Sequence, residues 1–313
     1  MRNIDVSVIV ACYNPDIVKL KKTINSILNQ VGVSYEIIIA DDGSEFEYKS
    51  EIEKWFKENQ VKNYKLSFLP ENQGTIKNIY FALSYCSGEY VKTISPGDLL
   101  ISEHIICDWL DALRDSGKNW SFGDAVYYKL VEGEPYSFAA KAHPQIVKPY
   151  RKKNDKASRW NYFVLSDIAL GAAIICKTEI INKYLQMVIG KIKYAEDNIY
   201  RIMMLEGETA FYYSDDVVLY EYGEGISTSN NTKWTKILSD EWKTVNKMIY
   251  TEKTAGNDLQ KKMVKNLERK NGNNIIKRII CRINIKLLFF KIKLHFFPRR
   301  TRIVGKGVLT KVK

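Results

Sequence analysis

The sequence predicts a doubly wound α/β fold with a mostly parallel sheet, and three observations carry that prediction. Short, continuous, β-branched runs, Val6–Cys12 first among them, read as strands buried on both faces. Segments with apolar residues three and four apart separate these runs, as in strand-helix alternation. Polar residues follow directly on the strand ends, where open α/β sheets bind their ligands.

The elements follow in order. Val6–Cys12 is the first strand, and Leu20, Ile24 and Ile27 mark the helix behind it. A second strand over 36–40 ends at Asp41-Asp42-Gly43-Ser44. Ile52, Trp55 and Phe56 suggest a helix, and residues 64–69 a third strand. A helix over 74–87 carries Ile76, Ile79, Tyr80 and Leu83 on one side. Tyr90–Ile94 is the fourth strand and runs into Ser95-Pro96-Gly97-Asp98. Beyond it, Ile105, Ile106, Trp109, Leu110 and Leu113 predict a helix, which Asp98 could cap. Strands are expected near 125–130 and 172–176, then a helix that carries Tyr194-Ala195-Glu196-Asp197 and goes on through Ile199, Ile202, Met203 and Leu205, then two closing strands over 209–213 and 217–222. The polar stretch 251–258 reads as a linker.

Composition bounds the function. The 313 residues, 45% hydrophobic and 27% charged, suit a large packed α/β domain with an appendage rather than a disordered chain. The five cysteines are odd in number and scattered without a CxxC pair, and with only three histidines a zinc site is not expected. Cys12 and Cys176 fall in apolar strands as small core residues, which fits a reducing cytoplasm. The start of the chain enters a strand without a secretory pattern, and no uncharged apolar run reaches the ~18–20 residues that span a bilayer. The formal charge of +12 is concentrated in residues 269–313, with 14 Lys or Arg and no Asp or Glu. The remainder has 34 basic against 36 acidic residues.

Five pieces then stand in a telling order: V-S-V-I-V-A-C-Y-N, I-I-I-A-D-D-G-S, E-N-Q-G-T-I-K-N, S-G-E-Y-V-K-T-I-S-P-G-D and A-E-D-N. This ordered set resembles the family 2 glycosyltransferases over residues 6–229. The resemblance implies a GT-A fold, a Rossmann-like, mostly parallel twisted sheet with flanking helices. It also implies inverting transfer of a sugar from a nucleotide-diphosphate donor, a UDP-sugar by preference, to a hydroxyl of a glycan or lipid-linked glycan in cell-surface polysaccharide synthesis.

The same resemblance assigns Tyr13, Asn14, Asp41, Asp42, Asn72, Lys77, Asn78 and Asp98 to the donor. A carboxylate at Asp41 or Asp42 can accept hydrogen bonds from the base or ribose, and Tyr13 can lie against the base. Asn72, Lys77 and Asn78 surround a helix start, which favours polar or anionic groups. Asp42-Gly43 is equally a turn pair, and Asn72 equally a helix cap. The family usually ends its fourth strand with an acidic D-x-D or D-x-D-D sequence that holds a divalent metal. Here Ser95, Pro96 and Gly97 take the first three places, leaving Asp98 as the expected ligand of Mg²⁺ or Mn²⁺, or as a turn residue. The family's Glu-Asp pair corresponds to Glu196-Asp197, with Asp197 as catalytic base and Glu196 in support. Asp167 to Ala173 is a candidate for the sugar side, and the loop after Tyr220 lacks the family's frequent Arg or His.

Three parts are expected: a GT-A domain over 1–229, a helical extension and linker over 230–268, and a basic amphipathic tail over 269–313. In the tail Ile276, Ile279, Ile280, Ile283, Leu287, Phe290 and Leu294 recur at helical spacing, with Lys and Arg largely off that face. Such a helix suits an anionic membrane surface, with the protein peripheral at the inner face of the plasma membrane; packing on the domain is the alternative. No nucleic-acid partner is expected. Two other classes compete. A sugar-nucleotide nucleotidyltransferase should carry a Gly-rich basic loop where Val10-Ala11-Cys12-Tyr13-Asn14-Pro15 stands. A non-catalytic transferase-like membrane scaffold would explain the depleted acidic motif.

Overall fold

The computed structural model describes residues 4–226, 232–252, 257–271, 292 and 294–304. Its first half alternates as expected: β1 (Val6–Cys12), α1 (Ile17–Leu28), β2 (Tyr35–Asp41), α2 (Lys49–Glu58), β3 (Tyr64–Phe68), α3 (Thr75–Leu83) and β4 (Tyr90–Ile94). Then come β5 (Leu99–Leu100), α4 (Ile105–Ser116), β6 (Trp120–Val131), β7 (Glu134–Phe138), α5 (Lys148–Arg151) and α6 (Asp155–Arg159). The chain continues with β8 (Ile174–Lys177), α7 (Thr178–Val188), α8 (Asn198–Glu206), β9 (Phe211–Glu221), α9 (Thr232–Glu252) and α10 (Asp258–Asn271).

The sheet runs β3-β2-β1-β4-β8-β6-β9-β5, with β7 paired to β6. The first four strands are parallel, β8 is antiparallel to both neighbours, and β6 and β9 are parallel. Side-chain alternation feeds two cores. Val6, Val8, Val10, Ile37 and Ile39 face α1, α2 and α4, whereas Ile9, Ile38, Ala40 and Val91 face α3, α7 and α8. Asp16 starts α1 by accepting the Val18 and Lys19 N–H groups at 2.8 and 3.1 Å. Cys12 is in register with Asp41, so the residues after β1 and β2 emerge side by side.

Three expectations are corrected. The helix over Ile105 to Leu113 stands where expected, as α4, but Asp98 does not cap it, because β5 intervenes and pairs with β9. The two closing strands are one strand, β9, which follows β6 through a register shift between Phe122 and Ala125. The helix expected to carry Tyr194 to Asp197 begins only at Asn198, which leaves those residues in the loop before it. The polar 251–258 stretch lies where α9 ends and α10 begins, with 253–256 outside the described residues. Both helices bury apolar residues (Val245, Met248, Ile249, Met263, Val264 and Leu267) in the core that contains α3, α7 and α8.

Of the predicted tail face, Ile276 to Phe290 lies outside the described residues, whereas Leu294 is described. The segment 298–304 packs on the domain. Arg299 Nη1 lies 2.7 Å from both Asp124 carboxylate oxygens, Arg300 bridges Lys141, and Val304 is buried among Leu99, Val126, Tyr128 and Leu219. Just before it, Phe296 and Phe297 are 68% and 77% exposed. Among the described residues, no helix is long and apolar enough to cross a membrane.

Candidate active site

The residues after β1 and β2 are tied to each other. Asn14 sits at φ 46°, a conformation that asparagine tolerates better than most residues. Its N–H donates to Ser44 Oγ at 2.8 Å and its Oδ1 accepts the Glu45 N–H at 2.8 Å. Tyr13 is 46% exposed, and its hydroxyl donates to Glu45 at 3.2 Å, which leaves the ring open at the rim. Asp41 is buried; it accepts the Ser44 N–H and the Tyr48 hydroxyl, each at 2.8 Å.

Asp42 spans to the next loop. Its two oxygens accept the Gln73 N–H at 2.7 Å and the Gly74 N–H at 2.8 Å. Burial pushes its carboxyl up, while those backbone donors and Lys193 pull the other way. Gly74 starts α3 at φ 89°, so glycine serves the backbone there. Asn78 donates to the Ala40 carbonyl at 2.9 Å, while its own Oδ1 is buried without a hydrogen-bond partner among the described residues. Lys77 reaches Gln73 Oε1 at 2.9 Å. Asn72 is met from across the cleft: Lys193 Nζ lies 3.2 Å from its carbonyl and the Tyr194 hydroxyl 3.4 Å from its Oδ1.

The Ser95–Asp98 turn is closed by the Asp98 N–H donating to the Ser95 carbonyl at 3.0 Å, with Gly97 at φ 101°. The Asp98 side chain points inward. It is 4% exposed and its Oδ1 accepts the Glu221 N–H at 3.0 Å. Burial pushes its carboxyl up to about 7. Lys92 is buried on the same side; its ammonium donates to the Thr93 and Ala172 carbonyls, each at 2.6 Å. Burial pulls Lys92 down to about 7, opposed by the Asp98 charge.

The Glu221 carboxylate occupies the space beside Gly97: a Cβ on Gly97 would stand 2.2 Å from its Oε2. Lys19 neutralises that carboxylate at 2.7 Å and approaches Glu224 at 3.7 Å. As arranged, these groups do not fit a divalent cation. Asp98 is buried with its Oδ1 taken by a backbone donor, Ser95 and Gly97 supply no carboxylate, and a lysine already pairs with Glu221. Among the described residues, no three His, Cys, Asp or Glu side chains cluster as metal ligands.

Glu196 and Asp197 end the loop before α8. Asp197 stands at the helix's N-cap position without making a side-chain cap. Its Oδ1 is buried and has no hydrogen-bond partner among the described residues. Burial raises both carboxyls well above the ordinary range, and for Glu196 the Asp197 charge adds to the rise. They face a space of about 10 Å³ lined by Thr93, Gly171, Ile181, Leu185 and Tyr200 among others, about enough for one water. Asp167, by contrast, is spent on structure, since its oxygens accept the Gln145 and Ile146 N–H groups at 2.7 and 2.8 Å.

The space at Asp197 is lined by neither Asp42 nor Asp98; a chain of contacts and one charge interaction connects the three. Lys92 bonds Ala172 and acts on Asp98, and neighbouring Gly171 abuts Asp197. From Asp197 the chain runs back through Tyr194 and Lys193 to Asn72 and the Gly74 end of Asp42. A separate cavity of about 690 Å³, beside Phe81, Glu89, Lys177 and Asn182, contains none of these residues. Sequence reasoning missed Lys19, Lys92, Lys193, Glu221 and Glu241. For Lys92 a signal existed: one charge inside an otherwise apolar strand. Glu241 carried none, because its partners are backbone groups of a distant loop.

The parallel half-sheet, its loops gathered at the carboxyl ends and the carboxylate pair before α8 define a glycosyltransferase scaffold of the GT-A type. The chain belongs to glycosyl transferase family 2, whose model matches residues 7–175. That match ends before Glu196, Asp197 and α9. Among solved structures, the chain is similar in fold to S. aureus TarS, with a TM-score of 0.55 and 14% identity over 90% of this chain. It spans 46% of that longer chain. It is similar also to the S. aureus TarS 1-349 structure, with a TM-score of 0.51 and 16% identity over 93% of this chain and 80% of that one. No curated protein matches.

Proposed function

We propose that the protein is an inverting glycosyltransferase that moves a sugar from a nucleoside diphosphate to an acceptor hydroxyl. The observation that carries this reading is the Asp197 Oδ1, buried, without a hydrogen-bond partner among the described residues, and facing the small space beside Gly171 and Thr93. A half-buried carboxylate that spends its buried oxygen on no cap keeps it for a proton.

In the proposed step Asp197 takes the proton of the acceptor hydroxyl. The acceptor oxygen attacks the anomeric carbon as the bond to the diphosphate oxygen breaks, and the nucleoside diphosphate leaves with that electron pair. Attack opposite the leaving group inverts the carbon. The base and ribose are assigned to the rim of Tyr13, Asn14, Asp41, Asp42, Asn72, Lys77 and Asn78. The Ser95–Asp98 turn is assigned to the diphosphate side, with Asp98 holding the turn. Glu196 supports Asp197. Because the space at Asp197 holds about one water, sugar binding has to move the loop carrying Gly171 away from the Glu196-Asp197 pair.

The wider assignment is a UDP-sugar donor, a glycan or lipid-linked glycan acceptor in surface polysaccharide synthesis, and a peripheral position at the inner face of the plasma membrane. Exposed Phe296 and Phe297, held near the domain by the docked 298–304 segment, support a membrane contact. A second reading, a non-catalytic scaffold, is favoured by the crowded space at Asp197 and the unsuited acidic turn. Thermal shift and hydrolysis with a panel of UDP-sugars separate the two. Slow donor hydrolysis that vanishes in Asp197→Asn while the donor's thermal shift persists supports the transferase. Hydrolysis unchanged in Asp197→Asn defeats the assignment of the base.

A further inference from the structure

The loop that joins the two halves of the site is held from outside the matched family region. Glu241, half-buried on α9, turns its carboxylate onto three consecutive backbone donors. Its Oε1 accepts the Lys193 N–H at 2.9 Å and the Tyr194 N–H at 3.2 Å; its Oε2 accepts the Tyr194 N–H at 3.0 Å and the Ala195 N–H at 2.7 Å. Charge-assisted bonds of this kind are about twice as strong as neutral ones. Directly after these residues come Glu196 and Asp197.

The same helix also grips the far side of the pair. Asn246 accepts from Arg201 Nη2 at 2.8 Å, and Trp242 lies under that guanidinium at 4.0 Å. Arg201 is fully buried in α8 and donates through Nη1 to Asn198 at 2.8 Å, one residue after Asp197. Trp234 meets the Tyr194 ring edge-on at 4.9 Å. The carboxylate pair is therefore bracketed by α9 on both sides. The clamped loop also sends Lys193 and Tyr194 to Asn72 on the donor rim.

We propose that Glu241 is a positioning residue for sugar transfer, fixing the Lys193–Ala195 backbone so that one clamp sets both the donor-rim contacts and the place of Asp197. The proposal rests on the transferase reading above. A carboxylate is suited to the task because three N–H groups converge on it. An amide in its place would turn an NH₂ group toward at least one of them.

The test compares wild type, Glu241→Gln and Glu241→Ala for transfer or donor hydrolysis, for thermal midpoint, and for hydrogen exchange of the peptide covering 192–197. Glu241→Gln keeps the shape and guards against a variant that simply fails to fold. The expected result is faster exchange at 193–195 and a kcat lower by roughly ten- to hundredfold, the scale of a misplacement near 1 Å. Glu241→Ala should show the larger effect, and the donor KM should change less than kcat in both. Faster exchange with unchanged kcat overturns the proposal, as does a lower kcat with unchanged exchange. A wild-type protein that neither transfers nor hydrolyses any donor overturns the transferase reading, and this assignment with it. Loss confined to the variants tests the clamp alone.

Discussion

Gly171 stands against Asp197: a Cβ added to it would lie 2.6 Å from Asp197 Oδ1 and 3.6 Å from Glu196 Oε1. The smallest residue is thus what leaves the carboxylate in its place. No left-handed backbone is involved, so the requirement is one of space.

Gly171→Ala is expected to lower turnover by roughly tenfold or more, part of the ~10²–10⁴ that a positioned base contributes. The atoms nearest that Cβ belong to Asp197 and Glu196 and not to the nucleotide rim, so UDP affinity by calorimetry should change by less than about threefold, or ~0.6 kcal/mol. Unchanged turnover with a folded variant would show that Asp197 has room to move without consequence.

Asp98→Asn is expected to retain turnover and to answer added Mg²⁺ or Mn²⁺ as the wild type does. The asparagine oxygen can take the Glu221 N–H that Asp98 Oδ1 takes now. A metal titration of both proteins is the check. A variant that has lost a metal response present in the wild type would make Asp98 a ligand after all.

Lys92 and Asp98 make a prediction about pH. Asp98, raised to about 7, contributes stability below the ordinary aspartate pKa of 3.8 and loses it as pH rises through about 7. Lys92, lowered to about 7, contributes stability above 10.5 and loses it as pH falls through about 7. At pH 5 the wild type carries a buried lysine charge beside a protonated Asp98; at pH 8 an ionised Asp98 favours the charged lysine as its counter-charge. Lys92→Met removes the first cost and leaves the ionised Asp98 without that counter-charge. Its thermal midpoint should therefore be above the wild type at pH 5 and below it at pH 8, the latter by up to about 3 kcal/mol in stability. Parallel midpoint curves across that range would contradict the coupling.

Phe296→Ser with Phe297→Ser is expected to weaken flotation with anionic liposomes while leaving the thermal midpoint unchanged, since both rings are exposed. Equal flotation of the double variant and wild type would remove these two rings from any membrane contact.

The sequence by itself determined the parallel half of the sheet. Val6–Cys12 and the run before Asp41 are β-branched on both faces, and only a strand covered by helices on two sides buries them. It placed Asp41, Asp42 and Asn72 at strand ends, because strand ends are local events. It also drew attention to Glu196-Asp197 through their order in the chain. Tertiary structure decided what those side chains do. Whether Asp42 meets a ligand or caps Gln73 and Gly74, whether Asp98 faces solvent or the Glu221 N–H, and whether Asp197 finds a partner all depend on residues 31 to 123 positions away or on a loop that no pattern marks. The merging of two predicted strands into β9 and the hold of Glu241 on residues 193–195 are of the same kind. Periodicity reports which face of an element is buried; a hydrogen bond between distant loops leaves no period in the sequence, so only the folded chain specifies it.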